Sequence, residues 1–455
     1  MDVDAVIINE IVPSKLQRAD LPLPDVPEVE LIRHYIGLSK KNYGVDSGIY
    51  PLGSCTMKYN PKINEIVARI PGFSQIHPLQ EENQGALELL FQLSKMLREI
   101  TGLDGFTLQP AAGAHGELTG MLIIKKFFES KGIKKNKIIV PDSSHGTNPA
   151  SAKMAGFSII EIRSDENGEV PVDQLEFAMK EHDVAGIMLT NPNTLGLFDR
   201  HVKDITRIVH NNGGLCYYDG ANLNPMLGIC RPRDMGFDIV HLNMHKTFST
   251  PHGGGGPGSG PVGVVSELIP YLPEPVIIPS KEGYTSRTNT GTSIGRIKAF
   301  WGNFGVIVRA YAYILALGSE GLRRVGQISV LNANYLRVLL QQKYNIPYNR
   351  ICQHEFVLSD RDMPNEVTTE DIAKHILDYG FYAPTIYFPL IVNGAMMIEP
   401  TETESKASLD KFSAVMFKIH EEAVNNPDVL KRSPQNTPVG RLDAVLAARK
   451  PILRE

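Results

Sequence analysis

The sequence predicts an α/β fold, a mostly parallel sheet covered by helices and followed by a smaller C-terminal α/β domain. Two observations carry this. From about residue 138 to 246, short apolar strands alternate with helical stretches, the order that builds parallel sheets. The strands also end on polar residues, and such sheets hold ligands just beyond the carboxyl ends of their strands.

Three domains are expected. Residues 1–75 read as an irregular arm, broken by Pro22, Pro24 and Pro27, with little periodicity in Tyr50-Pro-Leu-Gly-Ser-Cys-Thr-Met-Lys58. Residues 76–320 form a large domain. It opens with a helix over 85–101, where Leu87, Leu90, Leu93 and Leu97 recur at helical spacing. Strands follow at 138–140, 158–162, 186–190, 215–218 and 239–243, with helices between them at 173–181 and 204–212; Gly213-Gly214 stops the second. A long apolar helix over 296–317 leads to a C-terminal domain, 321–455, with helices near 327–342 and 369–379.

Composition excludes several classes. The chain of 455 residues, 42% apolar, is long enough for more than one domain. A net charge of −4 gives no broad basic face for nucleic acid, and the lysines of 131–137 read as a solvated helix end. Cys55, Cys216, Cys230 and Cys352 form no CxxC pair, which argues against a zinc ribbon and fits a reducing compartment. Acidic residues stand where a signal peptide carries basic ones, and no uninterrupted apolar run approaches the ~20 residues of a membrane span. The expectation is a cytoplasmic protein with no membrane or nucleic-acid partner.

The chemistry centres on Asn243-Met-His-Lys-Thr-Phe248 and the glycine run Gly253–Gly256. A strand-like segment delivers Lys246, which can form a Schiff base with a carbonyl cofactor; the bland reading is a surface lysine. Asp219 ends another strand and can hold the ring nitrogen of pyridoxal 5'-phosphate in its protonated form; the alternative is a helix cap or turn before Gly220. Ala112, Gly113 and Ala114 open a helical run with small residues, which suits a phosphate at the positive end, although no Walker pattern closes the loop. His145 can lie on the cofactor ring or move a proton, or cap the next helix. His245 can contact phosphate or the lysine, or pack in a polar network. Thr194 is a hydroxyl donor or a turn residue. Cys55 shows no visible base that would make it a nucleophile.

These segments resemble the pyridoxal-phosphate-bearing half of the glycine cleavage system P-protein family. The resemblance runs through 50–58, Pro110-Ala-Ala-Gly-Ala-His-Gly-Glu117, Ser144-His-Gly-Thr-Asn-Pro-Ala-Ser151, Tyr218-Asp-Gly-Ala-Asn222, Gly228-Ile-Cys-Arg-Pro232, His241–Phe248, His252–Gly258 and Glu399-Pro-Thr-Glu-Thr-Glu404. It implies pyridoxal-phosphate fold type I, the aminotransferase-like architecture. It also implies decarboxylation of glycine, with the aminomethyl group passing to the lipoyl arm of the H-protein. Lys246 is then the anchor, Asp219 the ring-nitrogen partner and His145 the ring neighbour. Because this chain has the length of one half, the resemblance further implies subunit 2 of a split enzyme, with a subunit 1 partner in an α2β2 heterotetramer. The stretch 284–293 departs from the family's Ser/Ala-rich pattern, and Arg296 is the one candidate for the glycine carboxylate.

Overall fold

The computed structural model describes residues 12–18, 24–77, 80, 83–180, 183–252, 258–288 and 291–452. Contacts divide the chain into Met1–Tyr43 and Gly44–Glu455. The first unit holds a helix, Glu28–Ser39, entered from extended Pro27, with Glu28 and Glu30 at its positive end. The second unit begins with two short helices, Lys62–Ala68 and Pro71–Ser74.

The second unit is built on a seven-stranded sheet. Its strands are β1 (Gly105–Thr107), β2 (Lys137–Pro141), β3 (Ser158–Ile162), β4 (Val184–Thr190), β5 (Leu215–Gly220), β6 (Ile239–Leu242) and β7 (Val262–Val264), in the order β1-β7-β6-β5-β4-β2-β3. The five strands β2 to β6 are the expected ones and run parallel. Strands β1 and β7 are additions, three residues each and too short to show a period; β7 runs antiparallel to both its neighbours. Strand β4 is buried at every position, as a strand covered on both faces must be.

Helices α1 (Gln84–Thr101), α2 (Gly113–Ser130), α3 (Asn148–Met154), α4 (Val172–Met179) and α5 (Val202–Asn211) cover this sheet. Helix α1 is capped by the Asn83 side chain, which accepts from the Ala86 N–H, and stops at Gly102, whose φ of 76° a side chain would disfavour. Helix α2 crosses the sheet at close range because of two glycines one turn apart. A Cβ at Gly116 would lie 2.9 Å from the His241 side chain, and one at Gly120 2.3 Å from the Tyr217 ring. Gly120→Ala is therefore expected to cost about 1–3 kcal/mol, read as a lower urea midpoint; an unchanged midpoint would contradict this packing.

The helices expected at 296–317 and 327–342 are one element, α7 (Phe304–Leu340), following the short turn α6 (Met244–Thr247). Its start is delayed by left-handed Phe300 and Gly302, and Gly318, at φ 61° and ψ −173°, kinks it. Among the described residues it is the one helix that is long and apolar enough to cross a membrane, which corrects the expectation that no such segment exists. Its buried residues instead join the protein core: Val306, Ile307, Val308 and Ala310 pack with the large sheet, and Ala333, Leu336 and Leu340 with a second cluster.

That second cluster lies under a three-stranded antiparallel sheet. A hairpin, β8 (Val276–Ser280) and β9 (Gly283–Arg287), precedes α7, and the sheet itself contains β10 (Phe356–Ser359), β11 (Thr385–Ile386) and β12 (Ala395–Ile398), ordered β10-β12-β11. Helices α8 (Thr369–Asp378) and α9 (Lys406–Asn425) pack on it, α8 opening with a Thr368–Asp371 capping box. The segment around Leu52 is tied to this sheet. Leu52 bridges Ile398, and the Gly53 N–H donates to the Met397 carbonyl at 3.3 Å.

Candidate active site

Lys246 sits on the helical turn α6 rather than at a strand end. Strand β6 stops at Leu242, Asn243 takes extended backbone, and its carbonyl accepts the Lys246 N–H at 3.0 Å. The turn aims the side chain inward. Lys246 is buried, and its Nζ donates to the Ser54 carbonyl at 2.7 Å.

Asp219 lies on β5 between two partners in register, Thr190 on β4 and His241 on β6. In register on adjacent strands, the three side chains share one face. Thr190 Oγ1 donates to Asp219 Oδ2 at 3.2 Å, the Ala221 N–H to Oδ1 at 3.0 Å, and His241 Nε2 stands 3.4 Å from Oδ1. Burial pushes the Asp219 carboxyl up, but His241, His145, the Ala221 N–H and Lys246 together hold it below its ordinary value. Asp219 is thus a buried carboxylate. Burial drives His241 down to about 4, so its ring is neutral, and the Tyr217 hydroxyl bonds Nδ1 at 2.6 Å.

His145 follows β2, in the loop before α3. Its Nδ1 is 2.9 Å from Thr147 Oγ1, which donates to Glu117 Oε1 at 2.6 Å; Ser151 Oγ donates to Glu117 Oε2 at 2.8 Å. The ring is pulled down by burial and by Lys246. Glu117, on the first turns of α2, is raised to about 7 by burial and by Asp219. Its folded value thus exceeds its unfolded value of 4.5. The native state binds the extra proton, so apoprotein stability falls as pH rises from 4.5 to about 7 and is level above that. Glu117→Gln removes this loss, and the variant is expected to gain on the order of 1–3 kcal/mol relative to the parent across that window. Parallel denaturation curves at pH 4.5 and 7.5 check this; a gap that does not widen with pH would contradict it.

The small residues expected to hold phosphate open α2. Ala112 is its N-cap, Gly113 is buried and Ala114 is exposed. A Cβ at Gly113 would meet Asn243 Oδ1 at 2.5 Å, so the positive end of an 18-residue helix lies against the lysine turn. His245 packs edge-on to His252, with ring centroids 5.1 Å apart, and accepts the Ser259 N–H on Nδ1 at 3.3 Å. Burial and His252 hold His245 near 3, a neutral ring. The Thr194 hydroxyl donates to the Ser143 carbonyl at 2.8 Å, so it braces the loop that carries His145. Arg296 is exposed. The glycine run Gly253–Gly256, and residues 289 and 290 of the 284–293 stretch, lie outside the described residues.

Buried polar atoms without a partner among the described residues gather in these same segments. The possible donors among them include Thr247 Oγ1, Thr250 Oγ1, His252 Nε2 and Ser259 Oγ. Buried polar groups are ordinarily bonded, so such a concentration fits a polar ligand of several acceptors held beside Lys246. A cofactor with an aldehyde, a basic ring nitrogen and a phosphate fits this donor set.

Several residues of the site were not singled out from the sequence. Glu117, Ser54 and Glu399 lie in motifs that were read only as motifs. His241 reads as one more strand residue, although its alternation with Leu242 puts it on the Asp219 face. Glu355, beside His354 at the start of β10, is a buried acid ahead of an apolar run, the one local signal it offers. Lys58 is buried as well, donating to Glu402 Oε1 at 2.7 Å, Asn224 Oδ1 at 2.8 Å and the carbonyl of Thr247, next to Lys246, at 2.9 Å.

This fold is that of the fold type I class of pyridoxal-phosphate-dependent enzymes. The chain resembles a solved glycine decarboxylase (P-protein) of the glycine cleavage system in inhibitor-bound form, with a TM-score of 0.76 at 19% identity over 91% of this chain and 95% of that one. It also resembles the glutamate decarboxylase of Lactobacillus brevis, with a TM-score of 0.68 at 13% identity over 90% and 95%. Residues 2–288 match the family model described as Glycine cleavage system P-protein, and 325–437 that of Glycine dehydrogenase, C-terminal domain. The chain belongs to the glycine cleavage system P-protein family. Relatives named "Probable glycine dehydrogenase (decarboxylating) subunit 2" are 56% identical in Caldanaerobacter subterraneus subsp. tengcongensis, over 100% of this chain and 94% of the relative. The corresponding relative in Kosmotoga olearia is 58% identical over 99% and 94%.

Proposed function

We propose that this chain is the pyridoxal-phosphate-bearing subunit of a split glycine dehydrogenase. It decarboxylates glycine and hands the aminomethyl group to the lipoyl arm of the H-protein. The observation that carries this reading is the meeting of Lys246, Asp219 and the α2 N-terminus at one end of the parallel sheet. Bound there, pyridoxal 5'-phosphate would supply an electron sink for the charge left when carbon dioxide departs.

The chain's own residues do the rest. Lys246 is the residue that would hold the cofactor's aldehyde, through its buried amine. The Asp219 carboxylate would keep a ring-nitrogen proton in place, and the neutral His241 and Thr190 fix that carboxylate in turn. His145 would neighbour the ring. The N–H groups of Gly113 and Ala114, with the hydroxyls of Thr247, Thr250 and Ser259, would hold the phosphate. Burial of Lys246 and Asp219 keeps water from the departing carboxylate. Thr194 acts at one remove, by bracing the His145 loop.

The same family likeness supports a subunit 1 partner, an α2β2 assembly, a lipoylated H-protein and a cytoplasmic setting. Another fold type I activity, cysteine desulfuration, would need a reactive thiol on a mobile loop, whereas Cys352 is buried and its thiol is pushed up to about 12 by burial. Glycine-dependent exchange of labelled bicarbonate, measured with subunit 1 and lipoylated H-protein added, tests the proposal. Exchange above either subunit alone is expected; none, with cofactor bound, would contradict it.

A further inference from the structure

The loop that receives the Lys246 amine is itself strained and held by two buried acids. Ser54 and Thr56 both take left-handed backbone, at φ 62° and 49°, on either side of Cys55. Such residues cost roughly 1–3 kcal/mol each and persist only where their surroundings hold them. Here the surroundings are two glutamates distant in sequence. The Ser54 N–H donates to Glu355 Oε2 at 2.7 Å, and the Thr56 N–H donates to Glu399 Oε2 at 2.9 Å. Glu355 and Glu399 are both fully buried. Neither meets a lysine or arginine within ion-pair distance among the described residues; the one such neighbour is His354, with its Nε2 3.6 Å from Glu355 Oε1.

Both acids bind a proton more readily than an exposed glutamate does. Burial raises both, Glu399 to about 7 with Glu402 adding to the rise and Glu355 well above its ordinary value with Glu399 adding to it, against the opposing pull of Lys246, while burial and Lys246 hold His354 near 3. Each acid gives one oxygen to the loop. The geometry is a relay: two acids fix two N–H groups, the N–H groups fix the turn, and the turn presents the Ser54 carbonyl to Lys246 Nζ at 2.7 Å.

We propose that Glu355 and Glu399 are positioning residues for Lys246. They hold the Ser54–Thr56 turn so that the Ser54 carbonyl is the resting place of the lysine amine whenever it is not bonded to the cofactor. The inference rests on the reading of Lys246 as the anchor. Its consequence is kinetic. An amine held at a fixed point beside the aldehyde is captured, and returns after product release, faster than one on a loose side chain.

The test is the rate at which the apoprotein takes up added pyridoxal 5'-phosphate, followed by absorbance and by borohydride trapping with peptide mapping. Trapping in the parent is expected on Lys246; trapping on another lysine would overturn both this inference and the anchor reading. Glu355→Ala and Glu399→Ala are each expected to slow capture on the order of tenfold. Glu355→Gln and Glu399→Gln keep an oxygen for the N–H and should return to within about twofold. Capture at the parent rate in a folded Ala variant would overturn the proposal. So would Gln variants as slow as Ala, or a stoichiometric divalent ion bound through His354, Glu355 and Glu399. Hydrogen exchange of residues 50–58 in the unmodified apoprotein serves where an Ala variant does not fold. Protection of Ser54 and Thr56 is expected, and free-peptide exchange rates would overturn the proposal.

Discussion

Lys246→Ala is expected to abolish glycine-dependent bicarbonate exchange and to remove the borohydride-trapped cofactor from its peptide, while the protein stays folded. The side chain is buried and, among the described residues, makes one hydrogen bond, to the Ser54 carbonyl. Truncating it leaves that carbonyl short of a donor and withdraws one of the several groups that favour the Asp219 charge, so stability should change by about 1–3 kcal/mol. Near-parental melting with loss of both signals supports the anchor role. Exchange persisting at a tenth of the parent rate or more would place the anchor elsewhere.

Asp219→Asn is expected to lower exchange on the order of 100- to 1000-fold and to weaken cofactor binding, with the fold retained. The substitution keeps the shape and one acceptor but removes the charge. In the parent, that charge survives full burial because His241, His145, the Ala221 N–H and Lys246 all favour it. An amide there cannot hold a proton on a ring nitrogen, so the electron sink weakens most where charge develops. Equilibrium cofactor titration and exchange rates, measured on one preparation, separate binding from chemistry. Parental values of both would remove Asp219 from the site.

The parallel sheet was legible because its five parallel strands are apolar runs that end on polar residues. Asp219 and Thr190 could be seen at such ends one strand at a time, but their in-register pairing with each other and with His241 is a property of the sheet. Strands β1 and β7 escaped notice because three residues carry no period. Helix α7 read as two helices because Gly318 interrupts its backbone, yet packing on both sides carries the chain through the kink. Lys246 lies on a helical turn because Asn243 ends the ladder, which strand propensity does not reveal. The bonds that fix the Ser54 turn join residues 301 and 343 positions apart, and no local pattern points from Ser54 to Glu355 or from Thr56 to Glu399. Gly116 reads as a small residue before a helix and Gly120 as one more position within it, and only the helix laid over Tyr217 and His241 shows why no side chain fits at either.

The most direct test of the central claim is borohydride reduction of the purified chain loaded with pyridoxal 5'-phosphate, followed by peptide mapping. A visible absorbance band that is lost on reduction, with the phosphopyridoxyl group on the peptide containing Lys246, is the predicted result. A label on a different lysine, or no label even with subunit 1 present, would contradict the account.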